Sequence, residues 1–171
     1  YSLVAVHAEH EAHLATRAAE SHHRRRPVAA LTAGLGLLQS ALQNLAPEKR
    51  PRVVLCHVSG VAELEWLRRA KSEGYDVWGE TCPHYLLLTQ DDAVSAGPGL
   101  QVNPPLRGAR DQAAIWEALV DGTIDFLATD HAPHTPYEKS SAHPPSGMPG
   151  VEWLGPFLVT LASTGRITWQ R

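Results

Sequence analysis

Three side chains that can bind a divalent metal stand at the carboxyl ends of predicted strands. His7, His57 and Asp130 each follow a short apolar run of strand-like composition. Imidazole and carboxylate ligands together suit zinc, manganese, iron or cobalt. A single histidine after a strand is more often a structural residue, but three equivalent placements in one chain favour a shared metal site.

The segment around Asp130 is dense in groups that could act on a substrate. It reads Thr-Asp-His-Ala-Pro-His over residues 129–134. A carboxylate beside a metal can take a proton from water, and His134 could contact an anionic substrate group. Asn103, on a proline-stiffened loop, could recognise a ring amide through its own amide group. A simple turn-forming role before Pro104 is an equally open interpretation of Asn103.

Several other histidines have simpler interpretations than metal binding. The segment His10-Glu11-Ala12-His13 resembles the HExxH helix of zinc proteases, but its second histidine comes one position too early. We expect His84 to support a loop beyond Pro83, and His131 to point away from Asp130. Mostly exposed helix positions are predicted for His10, His13, His22 and His23.

Two charged features near the first strand can be explained without a role in function. Glu9 could hold the ring of His7 by a hydrogen bond, or it could be an acid at the start of a helix. The only basic run, Arg24 to Arg26, is predicted to be a solvated helix end or loop.

The elements that must position these residues alternate between strands and helices. Strands are predicted over 3–7, 52–57, 75–81 and 124–129, and helices over 11–21, 27–45, 61–72, 110–120 and 151–162. Asp91 and Asp92 are expected to cap a further short helix. Such alternation predicts a parallel sheet with helices outside it. No glycine-rich phosphate loop follows a strand, which disfavours a nucleotide-binding sheet, and four strands are half of a (β/α)₈ barrel.

The composition favours one globular unit without a nucleic-acid or membrane partner. The chain has 171 residues, 43% of them hydrophobic, and a formal net charge of -3. Cys56 and Cys82 form no metal-binding spacing, so reduced, buried thiols in a cytoplasmic protein are expected. The chain opens at Tyr1 and stops after Arg171 without terminal features, and we expect it to be a piece of a longer protein.

Several segments, taken in order, resemble one known family. They are Val6-His7-Ala8-Glu9, Cys56-His57-Val58-Ser59, Glu80-Thr81-Cys82-Pro83-His84-Tyr85-Leu86, Asn103-Pro104-Pro105-Leu106-Arg107, Ile124-Asp125, and Asp130-His131-Ala132-Pro133-His134. Together they are similar to the second half of the dihydroorotase family, in the cyclic amidohydrolase superfamily that also holds allantoinases and hydantoinases. Residues 145–152 fit the same group.

This resemblance implies a fold and a set of site residues. The implied fold is α/β, a partial (β/α)₈ TIM-type barrel in which residues 1–171 supply strands 5–8 and the N-terminal half is absent. One or two divalent ions are implied, zinc first, with manganese, cobalt or iron as alternatives. The implied metal ligands are His7 and His57 for a second ion and Asp130 for the first, with Asp130 also the catalytic general base and acid. The implied substrate-binding residues are Asn103, His134, Ser146 and Gly147.

The resemblance also implies an activity. It is the interconversion of (S)-dihydroorotate and N-carbamoyl-L-aspartate in de novo pyrimidine biosynthesis, in which a metal-bound hydroxide attacks the ring amide. An allantoinase or a hydantoinase is the nearest alternative, and a non-catalytic assembly partner is another. Homo-oligomers and other pyrimidine-pathway enzymes are the implied partners. The family's His-x-His pair, bridging ligand and carboxylate-binding arginine do not occur in this chain, so we expect the chain alone to be inactive.

Overall fold

The sheet is parallel throughout and follows the order of the chain. A computed structural model describes residues 2–14 and 21–169, and its strands are neighbours in the order β1-β2-β3-β4. They span Leu3–Val6 (β1), Arg52–Leu55 (β2), Val77–Thr81 (β3) and Phe126–Leu127 (β4). Val53 pairs with Val4 on one side and with Val77 on the other. Parallel strands joined by helical crossovers confirm the predicted alternation.

Among the described residues, three long helices cross between the strands, a fourth follows the last strand, and short helices lie in the connecting loops. The long helices are α2 (Val28–Gln43), α3 (Val61–Ser72), α6 (Ala109–Asp121) and α8 (Val151–Ser163). The short helices are α1 (His22–Arg25), α4 (Pro83–Leu87), α5 (Gln90–Ala96) and α7 (Pro136–Lys139). Single 3-10 turns span Glu11–His13, Pro47–Lys49 and Gly97–Leu100. No helix within the described part of the chain is long and apolar enough to cross a membrane.

One apolar core fills the space between the sheet and the crossover helices. Val53 and Leu55 of β2 are 1% and 0% exposed, and they belong to the same cluster as Leu64 and Leu67 of α3 and Ile115 of α6. Burying side chains of this size contributes about 1.5–3 kcal/mol each. The core therefore fixes the helices against one face of the sheet and holds the strand ends in place.

The opposite face of the sheet is open, and this corrects the prediction of a buried first strand. On this face Leu3 of β1 is 62% exposed, and Trp78 and Phe126 are 39% and 37% exposed. Val4 points to the core-facing side together with Val53, and it is 42% exposed because β1 is an edge strand within the described residues. Within the described residues, β1 and β4 each have a sheet neighbour on one side only. The prediction of an apolar strand at β1 is confirmed, but within residues 2–14 and 21–169 no surface covers the open face of this strand.

Two other predictions need correction. Within the described residues, the expected helix over 11–21 is a 3-10 turn at Glu11–His13 followed by extended backbone at Leu14, and its residues 15–20 lie outside the described residues. His84 lies on the short helix α4 and is buried, rather than supporting a loop. The bounds of α3 match the prediction, and α5 is capped by Thr89 together with Asp92.

Candidate metal and substrate site

His7 and His57 face each other at the carboxyl ends of β1 and β2. Nδ1 of His7 lies 3.0 Å from Nε2 of His57, and the ring centroids are 4.7 Å apart with 70° between the planes. The paired parts of the two strands end at Val6 and Leu55, so both histidines leave the sheet at the same edge. The structure therefore brings together two of the three side chains that the sequence singled out as metal ligands.

The backbone at His57 and at Asp130 adopts the left-handed region that L-residues avoid. Their φ angles are 40° and 45°, and no other non-glycine residue among those described has a positive φ. Such a conformation costs on the order of 1–3 kcal/mol and persists where the surroundings impose it, often at functional sites. Two predicted ligands thus occupy the strained positions of the described chain.

The carboxylate of Glu9 holds His7 on the side away from His57. Oε2 of Glu9 lies 3.0 Å from Nε2 of His7, and the Glu9 side chain has no solvent exposure. Arg26 donates from Nε to the same oxygen at 2.9 Å, and Nη2 of Arg107 lies 3.9 Å from Oε1. Of the two interpretations of Glu9, the structure supports the contact with His7.

Glu9 also decides which nitrogen of His7 is free to bind a cation. Burial by itself raises the pKa of Glu9, but hydrogen bonds from His7 and Arg26 outweigh burial and leave the pKa below its ordinary value. Because an ionised carboxylate can only accept, Nε2 of His7 carries the proton in this contact. Nδ1 then keeps its lone pair on the side that faces His57.

His57 is held as a neutral imidazole. Burial lowers its pKa most, the neighbouring His7 lowers it further, and the charge of Asp130 acts in the opposite direction without reversing the shift. Metal ligation requires a deprotonated nitrogen, so a depressed pKa keeps the ligand available at neutral pH.

The histidine pair fits a partial ligand set for a divalent metal. Two imidazole nitrogens on a tetrahedral zinc ion lie about 3.3 Å apart, close to the 3.0 Å observed. Within residues 2–14 and 21–169, no three or more His, Cys, Asp or Glu side chains are grouped so as to hold a metal ion. A complete metal centre would need ligands in addition to this pair.

Asp130 lies at the end of β4 and does not join the histidines in one cluster. Its charge nevertheless acts on groups at the ends of the neighbouring strands. Burial raises the pKa of Glu80 on β3, and Asp130 adds to that increase. The role of Asp130 as a metal ligand stays a prediction.

His134, Ser146 and Gly147 form one loop cluster. Nε2 of His134 lies 3.2 Å from the carbonyl oxygen of Ser146, and the amide of Gly147 donates to the Gln101 carbonyl at 2.8 Å. Gly147 has a φ of 130°, and a Cβ there would lie 2.5 Å from the Ala132 carbonyl oxygen. The structure thus joins three of the four predicted substrate-binding residues and requires glycine at one of them.

Asn103 presents a buried acceptor without a partner. Its Oδ1 is inaccessible to solvent and makes no hydrogen bond within the described residues. The loop is fixed on both sides of it, because Tyr85 donates to the Pro104 carbonyl at 2.7 Å and His22 donates to the Val102 carbonyl at 2.8 Å. An unsatisfied buried acceptor costs about 1–3 kcal/mol, which distinguishes Asn103 from the hydrogen-bonded residues on either side of it.

The turn after His57 is anchored by the buried Glu63 of α3 and the half-buried Asp111 of α6. Oε2 of Glu63 accepts hydrogen bonds from the amide and the hydroxyl of Ser59, at 3.1 and 2.9 Å. Oδ1 of Asp111 accepts from the amide of Val61 at 3.0 Å. Complete burial raises the pKa of Glu63 to about 7, against the opposing effect of the Ser59 hydrogen bonds. These contacts position the backbone that carries His57.

Sequence reasoning missed the residues that support the site. The run Arg24–Arg26 was expected to be solvated, which holds for the exposed Arg24, but the side chain of Arg26 is only 18% exposed and pairs with Glu9. Nδ1 of His131 accepts from the amides of Gly150 and Val151 and so caps α8. The positions of Arg26 and His131 in the sequence do not distinguish them from ordinary charged or polar surface residues.

The two cysteines take no part in this chemistry. Both are free, as expected, with Cys56 half-buried and Cys82 buried. Burial raises the pKa of Cys56 to about 11, and it also raises the pKa of Cys82. Both thiols are therefore protonated and unreactive at neutral pH.

Comparison with curated proteins finds dihydroorotases. Those of Bacillus thuringiensis (strain Al Hakam) and Bacillus cereus (strain B4264) are each 47% identical to this chain over 120 residues. The match covers 68% of this chain and 28% of each relative, so the chain spans well under half of their length. No family model matches the chain.

Comparison with solved structures finds the same fold in cyclic amidohydrolases. The L-hydantoinase (dihydropyrimidinase) of Arthrobacter aurescens matches with a TM-score of 0.84 and 31% identity, covering 98% of this chain and 40% of that one. The dihydropyrimidinase of Brevibacillus agri NCHU1002 matches at 0.82 and 26%, with the same coverage. The Saccharomyces cerevisiae dihydroorotase in complex with 5-fluoroorotic acid matches at 0.76 and 18%, over 95% of this chain and 44% of that one, which supports the fold alone.

The parallel sheet, its outer helices and the histidine pair at the strand ends define part of a TIM-type barrel of the amidohydrolase class. Within that class the chain belongs to the cyclic amidohydrolase superfamily, with dihydroorotases as its curated sequence relatives.

Proposed function

We propose that the protein containing this chain hydrolyses a cyclic amide, and that its substrate pair is (S)-dihydroorotate and N-carbamoyl-L-aspartate. The observation that carries this proposal is the facing pair His7 and His57, in a chain 47% identical to dihydroorotases over 120 residues. The chain spans 28% of those relatives, so the proposal concerns the protein in its full natural length.

His7 and His57 would hold a divalent metal, with zinc the first expectation and manganese, cobalt or iron as alternatives. His7 would bind through Nδ1 and His57 through Nε2, the nitrogens that face each other. A bound metal of this kind supplies Lewis-acid polarisation of a carbonyl and lowers the pKa of water. Glu9 keeps His7 in the tautomer that this role needs.

The ring opens by addition of water across the amide bond. Asp130 takes a proton from the attacking water and delivers it to the ring nitrogen as the carbon–nitrogen bond breaks. The new carboxylate keeps the oxygen of that water, and the freed nitrogen becomes the ureido nitrogen of the product. Ring closure is the same sequence in reverse.

The loop residues orient the ring. We assign the contact with a ring N–H to the side chain of Asn103, because its Oδ1 makes no hydrogen bond within the described residues. His134 and the backbone of Ser146 and Gly147 would also contact the substrate ring. The close packing of Gly147 on Ala132 fixes the shape of the loop that carries them.

A hydantoinase is the second candidate function. The specific observation in its favour is the 0.84 TM-score and 31% identity with the Arthrobacter aurescens L-hydantoinase, compared with 18% for the yeast dihydroorotase. Against it stands the higher sequence identity to dihydroorotases over the matched 120 residues. We therefore rank dihydroorotate first.

A substrate panel tests the choice. The purified protein in its full natural length would be assayed on dihydroorotate, hydantoin, dihydrouracil and allantoin under one set of conditions. We expect kcat/KM for dihydroorotate to exceed the others at least tenfold, and faster turnover of any other ring would contradict the proposal. A protein purified natively without bound metal and without turnover would instead be a non-catalytic assembly partner.

The proposal extends to the pathway, the cellular location, the assembly and the domain organisation of the protein. We also propose a role in de novo pyrimidine biosynthesis in the cytoplasm, as a homo-oligomer or together with other enzymes of that pathway. We further propose that residues 1–171 form one continuous piece of a single barrel domain.

A further inference from the structure

A basic pocket opens beside the candidate site. It has a volume of about 390 Å³ and lies between α1 and the loops that carry Gln101 and residues 142–146. Arg25 and Arg26 line it together with His22 and His143, and none of the described residues in its wall is acidic. The wall is therefore electropositive in a chain whose formal net charge is -3.

Arg25 is the charge in this pocket that has no ion-pair partner among residues 2–14 and 21–169. Its Nε is inaccessible to solvent and makes no hydrogen bond within the described residues. No carboxylate of residues 2–14 or 21–169 lies within ion-pair distance of it, whereas Arg26 is paired with Glu9. A guanidinium that lines a cavity and has no carboxylate partner among the described residues can bind an incoming oxyanion through its charge and its planar donors.

The side chains of Gln101 and Ser146 form a neutral part of the pocket wall. Nε2 of Gln101 donates to the Pro144 carbonyl at 2.7 Å and to Oγ of Ser146 at 3.3 Å. Because the Ser146 oxygen accepts from Gln101, its own hydroxyl hydrogen remains available to donate into the cavity. The helix thus supplies a charge and the loop supplies one hydroxyl donor, that of Ser146, because both hydrogens of Gln101 Nε2 are bonded within the protein.

The pocket shares Ser146 with the candidate substrate loop, whereas the predicted metal ligands lie outside its wall. Nη2 of Arg26 lies 3.5 Å from Nε2 of His7, and the Ser146 carbonyl contacts His134. His7, His57, Asn103 and Asp130 do not line the pocket. An anion bound here would sit behind the arginine that steadies Glu9, next to the reacting centre and outside it.

We propose that this pocket is a binding site for a small oxyanion, a carboxylate or a phosphate, held by Arg25 and by the hydroxyl of Ser146. Planar guanidinium groups bind both anions in a bidentate manner. The proposal does not depend on which cyclic amide the neighbouring site hydrolyses.

Calorimetric titration of the metal-free protein, in its full natural length, tests the proposal. Removing metal excludes anion binding to the metal centre itself. Inorganic phosphate and succinate would be titrated separately at constant ionic strength, and saturable binding of either one supports the site and identifies the anion class. Absence of saturable binding by both would overturn it.

Matched variants place the binding in this pocket. Arg25→Gln is expected to weaken the bound anion at least tenfold, whereas Arg24→Gln, at an exposed position of the same short helix, is expected to change it less than twofold. Equal effects of the two would contradict the proposal. Ala142→Glu, at an exposed lining position, adds a negative charge without disturbing the core and should also weaken binding at least tenfold. If Arg25→Gln fails to fold, unchanged affinity in Ala142→Glu would overturn the proposal.

Discussion

Glu9 links the candidate metal ligands to the arginines behind them. Its buried carboxylate contacts His7 at 3.0 Å and accepts from Arg26 at 2.9 Å. Gly34 of α2 makes room for this arrangement, because a Cβ at that position would lie 1.7 Å from the carbonyl oxygen of Ala8. The helix therefore packs directly on the backbone between His7 and Glu9, and this packing fixes both side chains.

Removing the charge of Glu9 should weaken metal binding. We expect Glu9→Gln to lower zinc affinity about tenfold to a hundredfold, the usual effect of losing a carboxylate that orients a ligating histidine. Competition with a chromogenic chelator measures this in the protein of full natural length. Glu11→Gln, at an exposed acid two residues along the chain, is the control and should leave the affinity unchanged. Equal affinities for Glu9→Gln and the native protein would contradict this role of Glu9.

At the level of secondary structure, the turn from β2 into α3 determines where His57 points. Glu63 of α3 accepts two hydrogen bonds from Ser59, and Asp111 of α6 accepts from Val61. Gly60 is needed between them, since a Cβ there would lie 2.4 Å from Oδ1 of Asp111. The left-handed backbone of His57 is maintained by these neighbours rather than by its own preference.

Glu63 should make the protein less stable as the pH rises. Its pKa is about 7 in the folded protein and 4.5 ordinarily, so the folded state binds more protons between these values. The free energy of unfolding should then fall with increasing pH in that window, by up to about 1.4 kcal/mol per pH unit from this group. Denaturant unfolding at a series of pH values should show this slope reduced in Glu63→Gln and retained in Glu65→Gln, an exposed acid of the same helix. The same pH slope in both variants would contradict the assignment.

Gly147 should be indispensable to the substrate loop. An alanine there would meet the Ala132 carbonyl at 2.5 Å, in a backbone conformation with φ of 130°. We expect Gly147→Ala to raise KM at least tenfold by displacing Ser146, while Gly99→Ala, where a Cβ meets nothing within 4 Å, leaves KM unchanged. Steady-state kinetics on dihydroorotate measure both, and a native KM in Gly147→Ala would refute the requirement for glycine.

The sequence predicted elements well where their apolar pattern is long. The helix 61–72 was located at its observed bounds because Leu64, Leu67 and Ala70 repeat at helical spacing and are all buried. The helices α4 and α7 were missed because a single turn contains no repeat to detect. The burial of β1 was overestimated because apolar composition indicates that a strand should be covered, without indicating which part of a protein covers it.

The sequence predicted the candidate site less completely. Strand-end position was enough to single out His7 and His57, which the structure places 3.0 Å apart. It was not enough for Arg26 or Glu63, because their roles depend on contacts with residues 17 and 4 positions away that composition does not reveal. The metal role of Asp130 and the substrate roles of the loop residues stay predictions.

For the whole molecule, the open face of the sheet is the dominant feature. Leu3, Trp78 and Phe126 expose apolar surface on that face, and β1 and β4 are unpaired on their outer sides within the described residues. Exposed apolar strands and open edges favour association with other chains. In the related barrels the chain corresponds to about 40% of the structure, so further barrel strands are the natural cover for this face.

The 171-residue chain on its own should self-associate. We expect analytical ultracentrifugation of the isolated chain to show dimers or larger species, with the paired change Leu3→Lys and Phe126→Lys shifting the distribution towards monomer. Val94→Lys replaces an equally exposed residue on α5, away from this face, and should have no effect. A monodisperse monomer of the unmodified chain would contradict this expectation.

Turnover of dihydroorotate by the protein in its full natural length, compared between the native enzyme and Asp130→Asn, tests the central claim most directly. Asparagine keeps the size of the side chain at this strained strand end but cannot take up the proton of the attacking water. The account predicts measurable hydrolysis by the native protein and a loss in kcat of about 10²–10⁴-fold in the variant. Native turnover that survives Asp130→Asn, or no turnover of dihydroorotate by the metal-loaded native protein, would contradict it.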